Sequence, residues 1–299
     1  MTNVPSDAEL RADFEARRNW GRWGADDEAG ALNLVTPEKR LAALALARTG
    51  RTVSLSRPYP KAPGPRNPSP AQHFMNLYIG PRAGAVTDYY GFVYHGTTMT
   101  HIDALCHVWD GPEMWNGRDP RRELRADGAR FADVTAWSGG IITRGVLLDV
   151  PRFRGAPYVR PGEPVHGSEL EAVAAAQGVS LEAGDALLVY SGREAYTRDF
   201  PAPEGDTPGL HGSCAPFIRD HDVAILVWDM MDATPNVEGL RWPVHGVLSN
   251  YGVALLDNAL LEPLAAACAE EGRYEFALLV LPLVVEGGTG SPVNPVAIF

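Results

Sequence analysis

Cysteine is scarce in this sequence, and its placement excludes two kinds of structure. The 299 residues contain 3 cysteines, Cys106, Cys214 and Cys268, which lie far apart and form no Cys-x-x-Cys pair. An odd number of widely spaced thiols argues against a disulfide framework and against a structural zinc knuckle. We therefore expect the reducing environment of the cytoplasm, and for Cys106 we expect a packing role.

Long apolar runs and basic surface charge are lacking as well. No run of apolar residues approaches the ~20 that cross a bilayer. Residues 1–7 have neither the basic nor the apolar region of a secretory signal, so no signal is expected there. A formal net charge of −11 disfavours binding to a phosphate backbone. We therefore expect neither a membrane nor a nucleic acid as a partner, and we expect a small molecule as the ligand.

Apolar periodicity predicts a chain that mixes helices with buried strands. Core strands are predicted at 140–150, 186–190, 223–229 and 275–282. Helices are predicted at 7–18, 36–48, 168–177 (with Ser168 as its cap) and 263–271. Residues 57–70 are rich in proline and should be loop. Without repeats or a clear boundary, we predict one α/β or α+β domain over residues 1–299, with residues 1–70 packed on it as an N-terminal extension and loop.

The residues with the most chemical potential lie between positions 95 and 107. His95, His101, Asp103 and His107 all occupy odd positions. Alternate side chains of an extended chain share a face, so His101 and Asp103 should project together, and His107 can return through a short turn. Imidazole and carboxylate groups that converge on one point suit a divalent metal ion. The alternative is that these are packing histidines, but burying them with a carboxylate and no metal would cost several kcal/mol.

Tryptophans near this stretch leave two interpretations open. Trp20, Trp23, Trp109 and Trp115 could wall a pocket for a planar ring, or they could be ordinary packing residues. His211, in the segment Gly209-Leu210-His211-Gly212, could line the same pocket.

The histidine stretch resembles the signature HxGTHxDxPxH of the metal-dependent cyclase-like hydrolase family, which includes bacterial-type kynurenine formamidases and isatin hydrolases. Residues 100–107 reproduce its THxDxxxH core. Trp20-Gly21 and Asp26-Asp27 look like the opening of the longer members. Two positions depart from the signature, because Leu105 replaces the proline and Thr97 replaces the first histidine.

The resemblance implies a set of metal ligands. The metal-binding His and Asp of the signature fall on His101 and Asp103, and the later pair, twelve residues apart, falls on His245 and Asp257. Asp257 stands where Glu is commoner, so occupancy of a second metal position is left open. His95 lies two residues before the expected histidine position and would reach the metal if the chain bulges. The metal implied is Zn²⁺ or Mn²⁺.

The resemblance also implies an activity and a fold. His107 falls on the residue that the family is thought to use as base or proton shuttle, so the expected reaction is hydrolysis of an amide, formamide, lactam or lactone of a cyclic or aromatic small molecule. A metal-dependent cyclase or dehydratase of secondary metabolism is the alternative, and a catalytically silent binding protein is a third possibility. The implied fold is a single-domain α/β structure of the swivelling β/β/α type, with a mixed sheet and surrounding helices. It is commonly assembled as a homodimer or higher homo-oligomer.

Overall fold

The computed structural model describes residues 5–203 and 205–299, so four of the residues examined for a secretory signal lie outside the described ranges. The α-helices of these ranges are α1 (Asp7–Ala16), α2 (Pro37–Leu44), α3 (Pro120–Glu123), α4 (Val150–Arg154), α5 (Gly167–Gln177), α6 (Arg193–Asp199), α7 (Cys214–Asp220), α8 (Gly246–Tyr251) and α9 (Glu262–Glu271). The strands are β1 (Thr52–Ser54), β2 (Gln72–Ile79), β3 (Gly84–Gly91), β4 (His101–Asp103), β5 (Leu124–Arg125), β6 (Gly128–Ala129), β7 (Ile141–Asp149), β8 (Ala186–Tyr190), β9 (Ile225–Trp228), β10 (Ala254–Asp257), β11 (Glu275–Val280), β12 (Gly290–Pro292) and β13 (Val296–Ile298).

One large sheet organises the fold. Within the described ranges it has 9 strands in the order β1-β13-β11-β7-β8-β9-β10-β4-β12. Strands β7 to β10 run parallel to one another, and helices alternate with them along the chain, whereas the flanking strands pair antiparallel. The expected single-domain α/β fold with a mixed sheet and surrounding helices is therefore confirmed.

The core lies around the parallel strands. Every residue of β8 and of β9 is buried, as their unbroken apolar sequences predict for strands that are covered on both faces. Helix α5 packs against β7 and against α7, and α2 packs against β7 and β11. Cys106 is fully buried in this core, in agreement with the packing role expected for it.

Several predicted helix boundaries are wrong: α1 ends at Ala16 instead of residue 18, and the largest error, at the end of α2, goes with a long-range contact. Helix α2 ends at Leu44, not near residue 48. Just beyond it, the backbone N–H groups of Thr49 and Gly50 donate to the carbonyl of Phe299, which is incompatible with a longer helix. Helix α5 begins one residue earlier than expected, with His166 instead of Ser168 at the cap position. The proline-rich segment 57–70 contains no helix or strand, as predicted.

Strand β4 carries the central part of the histidine stretch into the middle of the molecule. It lies antiparallel between β10 and β12, so His101 is opposite Asp257 and Asp103 is opposite Gly290. The approach of β12 is close, because a Cβ atom at Gly290 would lie 2.4 Å from the carbonyl oxygen of Ile102. Among the described residues, no helix has both the length and the apolar character needed to cross a membrane.

Candidate metal centre

The six residues singled out in the sequence lie together at one end of β4 and β10. His101 and Asp103 share a face of β4, as their parity predicts, and each is 1% exposed. Asp257 is the last residue of β10, and His245 immediately precedes α8, the helix that leads into that strand. Their ligand atoms form two overlapping groups, and the atoms of each group all lie within 4.8 Å of one another. His95, His101 and Asp103 form one group, and Asp103, His245 and Asp257 form the other.

His101 and His245 are oriented in the same way. Nδ1 of His101 is hydrogen-bonded to the carbonyl of Met99 at 2.9 Å, which leaves Nε2 at 3.4 Å from Asp103 Oδ1 and 4.0 Å from Asp257 Oδ2. Nδ1 of His245 is hydrogen-bonded to the carboxylate of Asp232, which leaves Nε2 at 3.2 Å from Asp257 Oδ2. In both residues the outer nitrogen is held by a protein acceptor and the inner one points at carboxylates, the arrangement typical of metal-binding histidines.

His95 reaches the same place by a different path from the one expected. Residues 95–98 form a turn, not a bulge in a strand, and Gly96 adopts a left-handed conformation with φ 128°. Nε2 of His95 lies 3.0 Å from the hydroxyl of Thr289, and Nδ1 lies 2.9 Å from Asp103 Oδ1. This third histidine is therefore also anchored on one nitrogen and directed at Asp103 with the other.

The surroundings of the Asp103 carboxylate indicate that these residues fit a metal ion. Both of its carboxylate oxygens are buried, and neither accepts a well-formed hydrogen bond within the described part of the chain, although Nδ1 of His95 lies 2.9 Å from Oδ1. A buried carboxylate that lacks well-formed hydrogen bonds is strongly disfavoured, because little replaces the water that it loses. A divalent cation would satisfy both oxygens, and the surrounding imidazole and carboxylate donors suit Zn²⁺ or Mn²⁺.

The carboxylates of the cluster raise the pKa values of two of its histidines. Burial by itself lowers the pKa of His101, but the nearby carboxylate of Asp103 outweighs it and raises the pKa to about 9. Burial likewise opposes the protonation of His245, yet the charges of Asp232 and Asp257 raise its pKa well above the usual value. Without a metal ion these imidazoles would hold protons, so metal binding should release them.

His107 differs from the other histidines of the cluster. Its ring stacks on that of His95, with centroids 3.7 Å apart and an angle of 6° between the planes. Its Nε2 lies 3.8 Å from Asp103 Oδ2. Burial lowers the pKa of His107 to about 4, and the charge of Asp103 opposes this only in part. The imidazole is therefore neutral near pH 7 and can accept a proton.

A cavity of about 620 Å³ opens onto the cluster. Its wall includes His101, Asp103, His107, His245 and Asp257. Apolar and aromatic side chains line much of the remainder, among them Tyr196, Met230, Val237, Leu240 and Trp242.

The tryptophans considered for the pocket wall do not line this cavity. Trp115 is fully buried and donates to the carbonyl of Asp27, Trp20 donates to the carbonyl of Ser249, and Trp23 packs against Trp115. Trp109 packs against the core. The packing interpretation therefore holds for all four, and the tryptophan on the cavity wall is Trp242.

Sequence reasoning missed the residues that support the ligands. Asp232 holds His245 and also accepts a hydrogen bond of 2.6 Å from the backbone N–H of Val244. The indole of Trp228 donates to Asp257 Oδ1, and Thr289 holds His95. The one available signal was positional, because polar residues just after a buried parallel strand such as β9 face the functional edge of a sheet.

Comparison with known proteins agrees with this fold. Residues 50–234 match the family described as "Putative cyclase". A crystal structure of a protein described as a novel cyclase is 31% identical, with a TM-score of 0.84, and the alignment covers 96% of this chain and 99% of that one. An isatin hydrolase bound to the product analogue thioisatinate is 16% identical, with a TM-score of 0.60 and coverage of 88% and 99%. A predicted metal-dependent hydrolase from Bacillus stearothermophilus is 14% identical, with a TM-score of 0.52 and coverage of 83% and 97%. The search of curated proteins gives no match.

The fold and the cluster together define an α/β protein with a candidate metal centre built around one strand of its sheet. The match over residues 50–234 covers more than half of the chain. The chain belongs to the cyclase family.

Proposed function

We propose that this protein is a metal-dependent hydrolase that cleaves a C–N or C–O bond of a small molecule with water. One observation carries the proposal: three histidines are each held by one ring nitrogen and direct the other at a buried carboxylate cluster, in which Asp103 accepts no well-formed hydrogen bond. Membership of the cyclase family and the shared fold with isatin hydrolases support it.

The residues that would hold the metal are those of the two overlapping groups. His95, His101 and Asp103 would form one position, and Asp103 with His245 and Asp257 would form or complete a second. When bound, a divalent ion lowers the pKa of water and polarises a carbonyl group. The side chain of Asp257 is long enough to bind a metal ion at the second position, because its Oδ2 lies 3.2 Å from Nε2 of His245 and 4.0 Å from Nε2 of His101.

His107 is the proposed proton carrier. Its neutral imidazole faces the cavity beside Asp103, where it would accept a proton from the attacking water. The protonated ring would then donate to the leaving nitrogen or oxygen, and the nearby carboxylate of Asp103 would stabilise its charge.

The cavity favours a cyclic or aromatic substrate with an apolar body. Apart from the cluster, its wall includes apolar side chains such as Met230, Leu240 and Trp242. A volume of about 620 Å³ is within the range of small-molecule sites. A lactam, lactone, amide or formamide would place its carbonyl at the carboxylate end and its ring among these residues.

Two measurements test the proposal. Elemental mass spectrometry of the purified protein should find one or two equivalents of zinc or manganese per chain, and two equivalents would place an ion at the group with Asp257. Turnover of members of a panel of cyclic amides and lactones should stop on chelation and return with the metal. A folded protein that takes up no metal after reconstitution would exclude the mechanism and leave the histidines as packing residues.

The alternative is a cyclase or dehydratase that uses the same centre without consuming water. Family membership keeps this reaction class open. Reaction in ¹⁸O-labelled water separates the two, because only hydrolysis incorporates the label into the product.

A further inference from the structure

The connecting turn, residues 96–99, joins His95 to the strand that carries His101 and therefore sets the relative position of two proposed ligands. Within the described ranges, its carbonyl groups accept hydrogen bonds from side chains and from no backbone N–H group. The carbonyls concerned are those of Gly96, Thr97 and Met99. The turn is therefore held in place by side chains from elsewhere in the molecule.

Asn258 holds the connecting turn from the neighbouring strand β10. It directly follows Asp257, is fully buried, and has a φ of 56°, a left-handed conformation that asparagine tolerates better than most residues. Its Nδ2 donates to the carbonyl of Gly96 at 2.6 Å and to that of Met99 at 3.1 Å. The Met99 carbonyl is also the group that is bonded to Nδ1 of His101. One amide group thus contacts both ends of the turn and the acceptor that orients a ligand histidine.

Arg193 fixes the orientation of this amide. Its Nη1 donates to Oδ1 of Asn258, and its Nη2 donates to the carbonyl of Thr97, in the middle of the turn. A guanidinium group can only donate, so the oxygen of the Asn258 amide faces Arg193 and the NH₂ group faces the turn. The carboxylate of Asp229 in turn accepts the backbone N–H of Arg193 at 2.9 Å and holds the start of α6. Burial lowers the pKa of Arg193 to about 10, so the guanidinium remains charged at neutral pH.

The backbone of Asn258 is tied to the same region. Its carbonyl accepts a hydrogen bond of 2.9 Å from the hydroxyl of Thr100, the residue that precedes His101. Its side chain holds the turn that follows His95, and its own N-terminal neighbour is Asp257. The positions of proposed ligands from both metal-binding groups therefore depend on this one asparagine.

We propose that Asn258 and Arg193 form a clamp that keeps the ligands His95, His101 and Asp257 at metal-binding distances from one another. Both are positioning residues, because they act on the ligands through the carbonyls of the connecting turn. Ligands that are already in place lose little conformational freedom when an ion binds, so the clamp raises metal affinity. The inference rests on the proposed function, since it requires that the centre binds a metal ion.

The variant Asn258→Gly tests the clamp, because glycine keeps the left-handed backbone and removes only the amide. The matched control is Asn116→Gly, at an asparagine with a φ of 58° whose Nδ2 likewise donates to two carbonyls, those of Gly24 and Asp27. In competition with a chromophoric chelator for Zn²⁺, Asn258→Gly should bind about 10–100-fold more weakly than wild type. Asn116→Gly should bind as tightly as wild type.

A second variant, Arg193→Met, tests whether the two residues act as a unit. It removes the donors to the Asn258 amide and to the Thr97 carbonyl while keeping an extended side chain. Its metal affinity should also fall, and the double variant should bind little more weakly than Asn258→Gly alone, since both changes release the same turn. Fully additive losses would show that the residues act separately and would overturn the clamp.

The visible spectrum of the Co²⁺-loaded protein separates positioning from a general loss of stability, because it reports the arrangement of ligands around the ion. At saturating Co²⁺ the spectrum of Asn258→Gly should differ from that of wild type, and the spectrum of Asn116→Gly should not. Chemical denaturation of the metal-free proteins gives the stability change of each variant for comparison. A wild type that binds metal while Asn258→Gly keeps the same affinity and spectrum would overturn the clamp and leave the proposed function standing. A folded wild type that binds no metal would overturn both.

Discussion

Orientation, more than residue type, separates the histidines of the cluster from the others in the chain. His73 and His221 also contact carboxylates, but each forms one exposed pair with a single acid, Asp88 or Glu171. Such surface pairs contribute little and are common. In the cluster, by contrast, three imidazoles face the buried carboxylates of Asp103 and Asp257, and each has its other ring nitrogen held by another group. That pattern is costly to build without an ion and is the reason for proposing a metal centre.

His107 should be essential for turnover and dispensable for metal binding. The variant His107→Ala removes the neutral imidazole beside Asp103 while leaving every proposed ligand in place. We expect kcat to fall by about 10²–10⁴-fold, with the metal content per chain unchanged. Steady-state kinetics with elemental analysis measures both, and His221→Ala, which removes an exposed histidine, is the control. An unchanged kcat would remove His107 from the mechanism.

Asp232 should control metal affinity through His245, which it holds in position. The variant Asp232→Asn keeps the shape of the side chain but removes the charge that orients the imidazole. Loss of such a supporting partner typically lowers metal affinity by about 10–100-fold. Competition with a chromophoric chelator measures this change, and Asp127→Asn, at an acid whose side chain is 71% exposed, is the control. Equal affinities for the two variants would show that Asp232 has no role at the centre.

At the scale of elements, the centre depends on three adjacent strands being close together. Strand β4 supplies His101 and Asp103, β10 supplies Asp257, and β12 follows Thr289, which holds His95. The sheet register places the two acids on neighbouring strands and the turn 95–98 above them. A change in the spacing of β4 and β12 should therefore displace the side chain of His95.

Gly290→Ala tests this dependence. The added Cβ would lie 2.4 Å from the carbonyl oxygen of Ile102 and 3.0 Å from Cε1 of His95, so the strand or the histidine must move. We expect a loss of about 1–3 kcal/mol in the free energy of unfolding, together with weaker metal binding. Chemical denaturation and metal titration measure the two effects. Gly139→Ala, where nothing lies within 4 Å of the added atom, should change stability by less than about 0.5 kcal/mol.

Elements whose sequence pattern is local could be predicted, and those set by distant contacts could not. Strand β8 was predicted with its observed bounds, because an unbroken apolar run between turn residues specifies a buried strand. The shared face of His101 and Asp103 followed from parity alone. The end of α2 depends on Phe299, more than 250 residues away in the chain, and the role of Asp232 depends on where α8 begins. Neither contact has a signature within a short window.

At the scale of the whole molecule, the centre joins segments that are far apart in the chain. The turn at residues 95–98, strand β4, the start of α8 and the end of β10 all contribute donors. Without an ion, the buried acids Asp103 and Asp257 are balanced only by protonated imidazoles. In such buried pairs, the electrostatic attraction often does not exceed the free-energy cost of removing both charges from water. The folded state should therefore depend on the metal for part of its stability.

Removal of the metal should lower Tm, and the loss should be reversible. An ion present at about 1,000 times its dissociation constant stabilises the folded state by about 4 kcal/mol, which corresponds to roughly 6 °C in a protein of this size. Scanning calorimetry before and after chelation, with the metal content measured in both samples, gives the shift, and returning the metal should restore Tm. The variant Asp103→Asn separates the centre from indirect effects of the chelator, since its Tm should not respond to chelation. An identical Tm for metal-free and metal-loaded wild type would show that the cluster is stable by itself, and the argument from the uncompensated carboxylate of Asp103 would then fail.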